Sequence, residues 1–185
     1  CDTYNLNTDG TKLMNIILSD MAIAADGTAS FSFQNLNKTA SEQNYIFQET
    51  FDKCLGTGGN DDKGFYTSGN ANLFASGPFS PDKNGWTSNV QTYKGGSQCA
   101  RVGKRDAKNI TFTSPEMKIN GEVTLTFKAA PYSLSSKTMT VTVNNGTVET
   151  VTFKLEPNKW NECSTKITAN GRVKITFASD AFFID

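Results

Sequence analysis

Between residues 122 and 177 apolar and polar side chains alternate with a period of two over several stretches, with turn-forming residues between them. That period fits strands with one dry face and no helix. Val123, Leu125 and Phe127 share one face while Glu122, Thr124 and Thr126 share the other, and Met139, Val141 and Val143 repeat the pattern. Asn145-Gly146 supplies a two-residue turn, after which Val148, Val151, Phe153 and Leu155 carry the chain back, predicting a hairpin over 138–155. Beyond Pro157-Asn158 the pattern predicts a strand over 160–167, a turn at Asn170-Gly171, and a strand in which Val173, Ile175 and Phe177 alternate with Arg172, Lys174 and Thr176. Phe182, Phe183 and Ile184 form a last short apolar strand. Such a succession of strands with no helical window predicts an all-β sandwich rather than an α/β fold.

Charge narrows the chemistry. The 185 residues carry 18 Lys+Arg, 18 Asp+Glu and no histidine, so the formal net charge is zero. A neutral chain lacks the broad basic surface that neutralises phosphates, which argues against nucleic acid as a partner. Arg101, Lys104, Arg105 and Lys108 make the one basic run, read as a solvated face. The missing histidine excludes Ser–His and Cys–His nucleophiles and most zinc enzymes. Carboxylate chemistry survives, but Glu116, Glu122, Glu149, Glu156 and Glu162 fall on polar strand faces or in turns rather than as a pair flanking a sugar cleft. The chain therefore reads as a non-enzyme. No run of eighteen apolar residues encodes a membrane span.

Cys1, Cys54, Cys99 and Cys163 show no metal-type spacing. An even count in a polar β-type chain points to an oxidising compartment, with Cys54–Cys99 the expected disulfide and buried free thiols the alternative. Cys1 keeps two readings, the lipid-bearing first residue of a bacterial lipoprotein or the partner of Cys163.

The chain divides near residue 44. Leu13, Ile17 and Met21 would line one face of a helix, but Asp26-Gly27 followed by Ala29, Phe31 and Phe33 suits a hairpin, so residues 14–25 read as a strand with a helix as the alternative, and the polar stretch 35–44 reads as a linker. A segment 1–44 of this size is marginal alone, so it packs on the larger domain 45–185 or is the tail of a preceding domain. Between residues 54 and 115 glycine, asparagine, serine and proline predict long loops, where binding residues gather on a rigid sandwich. Sugar binding needs exposed rings beside planar polar groups. Trp86, Tyr93, Tyr66 and Tyr132 lie in loop-type contexts near Asn84, Asn89, Gln91 and Arg101, and Trp86, Tyr93, Tyr66 and Arg101 form the candidate ligand set. For Trp86 a second reading is a loop anchor packed onto the sandwich. Trp160, at a strand start, reads as core or as lying beneath a sheet edge.

Several short features occur in order across residues 45–185. They are an opening strand over 45–52, Cys54 and Gly58-Gly59-Asn60-Asp61, Asn84-Gly85-Trp86-Thr87, Cys99, Phe112-Thr113-Ser114-Pro115, the run from Gly121 to Ala129, Trp160-Asn161 and the closing Phe182-Phe183-Ile184-Asp185. This combination resembles the galactose-binding-like jelly-roll modules of bacterial surface proteins, the group with cleaved-adhesin and anchor-type domains. The resemblance implies a jelly-roll sandwich of two antiparallel sheets without catalysis, secreted or on the outer surface of a Gram-negative cell. Its partner would be a glycan or a cell-surface protein, with a purely structural spacer as the alternative. It also implies a structural Ca²⁺ held by Glu49, Asp61 and Asp185, with Asn60 and Asp62 nearby, since this hard cation takes six to eight oxygen ligands.

Overall fold

A computed structural model describes residues 16–23, 29–35, 45–66, 77–90, 93–144 and 150–185. The chain forms two compact units, Cys1–Tyr45 and Ile46–Asp185. In the first, strands β1 (Ile16–Ile23) and β2 (Ala29–Asn35) pair antiparallel, with an irregularity between Ser19 and Ala22. The strand predicted within 14–25 is therefore present.

The second unit is all-β, with no helix among the described residues. Its strands are β3 (Thr87–Ser88), β4 (Tyr93–Gly95), β5 (Ala100–Val102), β6 (Ile110–Thr113), β7 (Met117–Pro131), β8 (Lys137–Asn144), β9 (Val151–Leu155), β10 (Asn161–Ser179) and β11 (Phe182–Ile184). Each strand pair is antiparallel, as expected for a sheet with one dry and one wet face. One layer runs β10–β7–β11–β5–β4 and the other β3–β6–β10–β8–β9, so β10 belongs to both. From Asn161 to Val173 it pairs with β7; from Lys174 onward it pairs with β8 and β6. The layers face each other across a dry interior. The Phe127 ring of β7 meets Phe177 at 5.0 Å and Phe153 of β9 at 5.4 Å, both edge-on. Phe112, Phe182, Ile119, Met139, Val141, Leu155 and Val173 are fully buried there. Each such side chain contributes about 1.5–3 kcal/mol by leaving water. The sandwich predicted from alternation is the fold.

Two local expectations fail. Asn170-Gly171 is no turn: β10 continues through it, with Ala169, Asn170 and Gly171 opposite Gly121, Asn120 and Ile119. Gly171 has φ 125° and Gly121 φ 96°, so the pair of glycines absorbs a local distortion without reversing the chain. Asn170 Oδ1 accepts the Gly121 N–H at 3.2 Å. The phase of the alternation carries this outcome. A two-residue hairpin at 170–171 would put Ala169 with Arg172 and Ile167 with Lys174 on one face, mixing apolar and charged residues, whereas a continuous strand keeps Ile167, Ala169, Val173, Ile175 and Phe177 together on the buried side.

The opening segment 45–52 is likewise not a strand. Its backbone is held by side-chain hydrogen bonds instead, and Phe51 adopts φ 50°, followed by a turn in which Cys54 N–H donates to Phe51 O at 2.9 Å. Strands β8 and β9 form the predicted hairpin pairing; its turn at Asn145-Gly146 lies outside the described residues.

Candidate functional site

The Glu49 carboxylate, expected on a metal, closes two loops onto each other. It accepts the backbone N–H groups of Phe51 at 3.1 Å, Asp82 at 2.7 Å and Lys83 at 2.9 Å, and the Trp86 indole N–H at 3.1 Å. Asp82 reciprocates, accepting from Thr50 Oγ1 at 2.7 Å and pairing with Lys53 at 2.8 Å, and hydrogen bonds from Lys53 and Thr50 hold its carboxyl at about 2. Trp86 therefore lies in the core, only 7% exposed, stacked on Phe112 at 4.6 Å and tilted against Phe51 at 5.2 Å. A buried indole needs a partner for its N–H, and Glu49 is that partner. The expectation of an exposed sugar-stacking Trp86 is overturned; the loop-anchor reading describes it.

The other expected Ca²⁺ ligands are committed in the same way. Asp61 caps its own loop, accepting from Gly58 N–H at 2.9 Å and Lys63 N–H at 3.0 Å. Asn60 Oδ1 accepts the Trp160 indole N–H at 2.8 Å while its amide donates to Gln98 O. Asp62 pairs with Lys63 at the surface. Asp185 pairs with Lys128 at 3.4 Å; burial raises its pKa, opposed by Lys128 and reinforced by Asp52. No three metal-ligating His, Cys, Asp or Glu side chains cluster among the described residues. In this structure each of these expected ligands is hydrogen-bonded or ion-paired within the protein.

The expected Cys54–Cys99 disulfide is also absent: both are fully buried free thiols, as Cys163 is a buried free thiol. Glycine backbone from residues 58, 59 and 96 encloses the Cys99 sulfur. Cys54 Sγ accepts the Ser80 N–H, Cys99 donates to Gly58 O, and a Cβ on Gly59, itself at φ 94°, would overlap the Cys99 sulfur. Burial pushes the Cys99 thiol up to about 12 and Cys163 to about 11, and raises Cys54 as well, so all three stay protonated at neutral pH. Cys1 lies outside the described residues.

Two members of the expected ligand set do come together. The register across one layer aligns Ala130, Phe183, Arg101 and Lys94 on neighbouring strands, so they share a face. The loop 58–66 docks here through Ser97 N–H to Gly58 O at 2.8 Å, bringing Phe65 against Phe183 at 5.7 Å and Trp160 at 4.9 Å. Tyr132, just past β7, packs edge-on to Phe183 at 5.3 Å and to Tyr66 at 6.2 Å. Each tyrosine carries a guanidinium: Arg101 Cζ lies 5.9 Å from the Tyr132 ring centre, and Arg105 Cζ 5.9 Å from that of Tyr66. Cation–π contacts of this kind hold both partners in place. Arg101 is 7% exposed and burial lowers its pKa, opposed by Tyr132 and Cys99; burial raises that of Tyr132, opposed by Arg101 and Arg105.

This Tyr66–Tyr132–Arg101–Arg105 cluster is the candidate site. Tyr93 pairs with Val102 in β4, and its side chain lies outside the described residues. Arg105 was hidden within the basic run, which the fold divides: Lys108 reaches Asp180, while Arg105 turns to Tyr66 and also touches Asp106 at 3.5 Å. No helix among the described residues is long and apolar enough to cross a membrane.

No family model and no curated protein matches the chain. Solved structures give distant likenesses. The N-terminal cellulose-binding domain of Cellulomonas fimi β-1,4-glucanase C is 15% identical, with a TM-score of 0.40 over 76% of this chain and 91% of that one. The CBM35 of Cellvibrio japonicus Abf62 is 14% identical, with a TM-score of 0.36 over 55% of this chain and 80% of that one. Exo-β-1,3-galactanase of Phanerochaete chrysosporium, solved with galactose, is 22% identical at a TM-score of 0.38, and the match spans 57% of this chain but only 30% of the enzyme.

Proposed function

We propose that the Ile46–Asp185 unit is a non-catalytic module that binds carbohydrate through the Tyr66–Tyr132–Arg101–Arg105 cluster. The observation carrying this reading is the pairing of two phenol rings with two guanidiniums on one face of a rigid sheet. Tyr66 and Arg105, the partly exposed members, offer a ring for sugar C–H groups and planar N–H donors for hydroxyls, while buried Tyr132 and Arg101 pack behind them. The carboxylates are spent elsewhere: Glu116 on Arg172, Glu122 on Lys166, Glu156 on Lys154, Asp180 on Lys108 and Lys137. Roles in adhesion, and a secreted or outer-surface location, belong to the same proposal.

The test is binding of the purified chain to a panel of immobilised polysaccharides and oligosaccharides, repeated with Tyr66→Ala. Binding that falls at least tenfold in the variant supports the proposal. A blank panel, or binding indifferent to Tyr66→Ala, overturns it in favour of a spacer or protein-interaction module.

A further inference from the structure

We infer that the chain forms a two-fold dimer in which β10 of one copy pairs antiparallel with β10 of a second along residues 161–173, centred on Ile167. This goes beyond the carbohydrate reading and does not depend on it. β10 belongs to both layers, but in the layer β10–β7–β11–β5–β4 it stands at the end of the order. From Asn161 to Val173 it pairs with β7, and among the described residues no strand lies on its other side. The direction of its backbone groups follows from β7. Lys128 exchanges both backbone hydrogen bonds with Asp185, in line with β11, at 2.7 and 2.9 Å, so even-numbered residues of β7 turn toward β11 and odd-numbered ones toward β10. Phe127, Leu125 and Val123 stand opposite Cys163, Thr165 and Ile167. Odd-numbered residues of β10 therefore bond to β7, while Glu162, Ser164, Lys166, Asn170 and Arg172 aim their N–H and C=O groups outward. Such a row is a template for another strand, and at thirteen residues it is longer than most whole strands.

The stretch lacks the usual devices that keep sheet edges apart. It contains no proline, and its charged residues, Glu162, Lys166 and Arg172, all lie on the exposed face, with none at the alternate positions that face the interior. Lys166, the residue type that commonly blunts an edge, leans back over β7 to Glu122 at 2.7 Å. Charge then selects the partner. Turned upon itself about Ile167, the sequence sets Glu162 opposite Arg172 of the second copy, twice by symmetry, Ser164 opposite Asn170 and Lys166 opposite Thr168. Opposite charges directly across two strands attract, and like charges repel. Arg172 meets Glu116 at 2.8 Å and stands opposite Lys118 in β7, so its five-donor guanidinium, beside another cation, gains from a second carboxylate. Sliding the register one way sets Lys166 against its own copy. Sliding it the other way takes Glu162 to Lys174, which already pairs with Asn144 of β8. Because the contact uses the same edge on both copies, assembly closes at two.

Sedimentation velocity of the full chain over a range of concentrations tests this. The expected result is a dimer that dissociates on dilution. Ser164→Pro removes an outward N–H and leaves the bonds to β7, so it should abolish the dimer in a chain whose thermal melt stays cooperative. Glu162→Lys and Arg172→Glu should each weaken dimerisation at least tenfold, and the double variant should recover it. A chain that stays monomeric at about 100 µM would overturn the proposal and leave the edge to a strand of another protein. A dimer that persists in folded Ser164→Pro would overturn the edge as its interface. Single reversals that weaken the dimer without recovery in the double variant would overturn the register centred on Ile167.

Discussion

Four N–H donors converging on the Glu49 carboxylate join the segment before Cys54 to the one before β3, and both Phe51 and Trp86 depend on that junction for their places around Phe112. Glu49→Gln keeps the size but sets an NH₂ against donors. Leaving partly buried donors unmatched costs about 1–3 kcal/mol, so the melting temperature should fall by roughly 3–10 °C. The drop should be the same in EDTA and in millimolar CaCl₂. A wild-type melting temperature that rises with Ca²⁺, with the rise lost in Glu49→Gln, would support the metal reading instead. At this scale the sequence was least informative. The type and spacing of Glu49 and Trp86 suit a metal ligand and a sugar platform equally well; what decides their roles is a hydrogen bond across 37 positions. Tyr66 and Arg101 stood out as candidates through their loop-type sequence context, and the structure brings them together, whereas Arg105 was masked by Lys104 and Lys108 beside it.

Element by element, legibility follows strand length. Strands β7, β8 and β10, at 15, 8 and 19 residues, are long enough for period-two alternation to register. Strands β3, β4 and β5 have two or three residues each, below any periodicity. The segment 45–52 shows the opposite error, since Tyr, Ile, Phe and Thr have strand propensity while a side-chain network fixes the backbone otherwise. The turn misread at Asn170-Gly171 makes β10 testable. No heavy atom lies within 4 Å of a Cβ built on Gly171, so Gly171→Val meets no clash and its cost is conformational, about 1–3 kcal/mol for a branched residue at φ 125°. Urea unfolding should record that loss. Hydrogen exchange should show protected amides on both sides of residue 170; fast exchange at 168–173 would mark a true hairpin end and refute the continuous strand.

For the larger unit as a whole the decisive residues are those of one three-residue strand. β11 lies between β7 and β5, with Phe183 opposite both Ala130 and Arg101, and Phe182 fully buried toward the interior. Phe182→Ala should cost about 3–5 kcal/mol in urea unfolding, enough to place the variant near the limit of stability. A loss under 1 kcal/mol would mean that the layer tolerates a gap at its centre. The same placement bears on how the chain folds as it is made. Residues 93–102 and 117–131 leave the ribosome well before 182–184, so β5 and β7 must wait, each with an open edge, for the strand that fits between them. The face that carries Arg101 is thus assembled last, and a nascent chain cannot complete it until Phe183 has arrived.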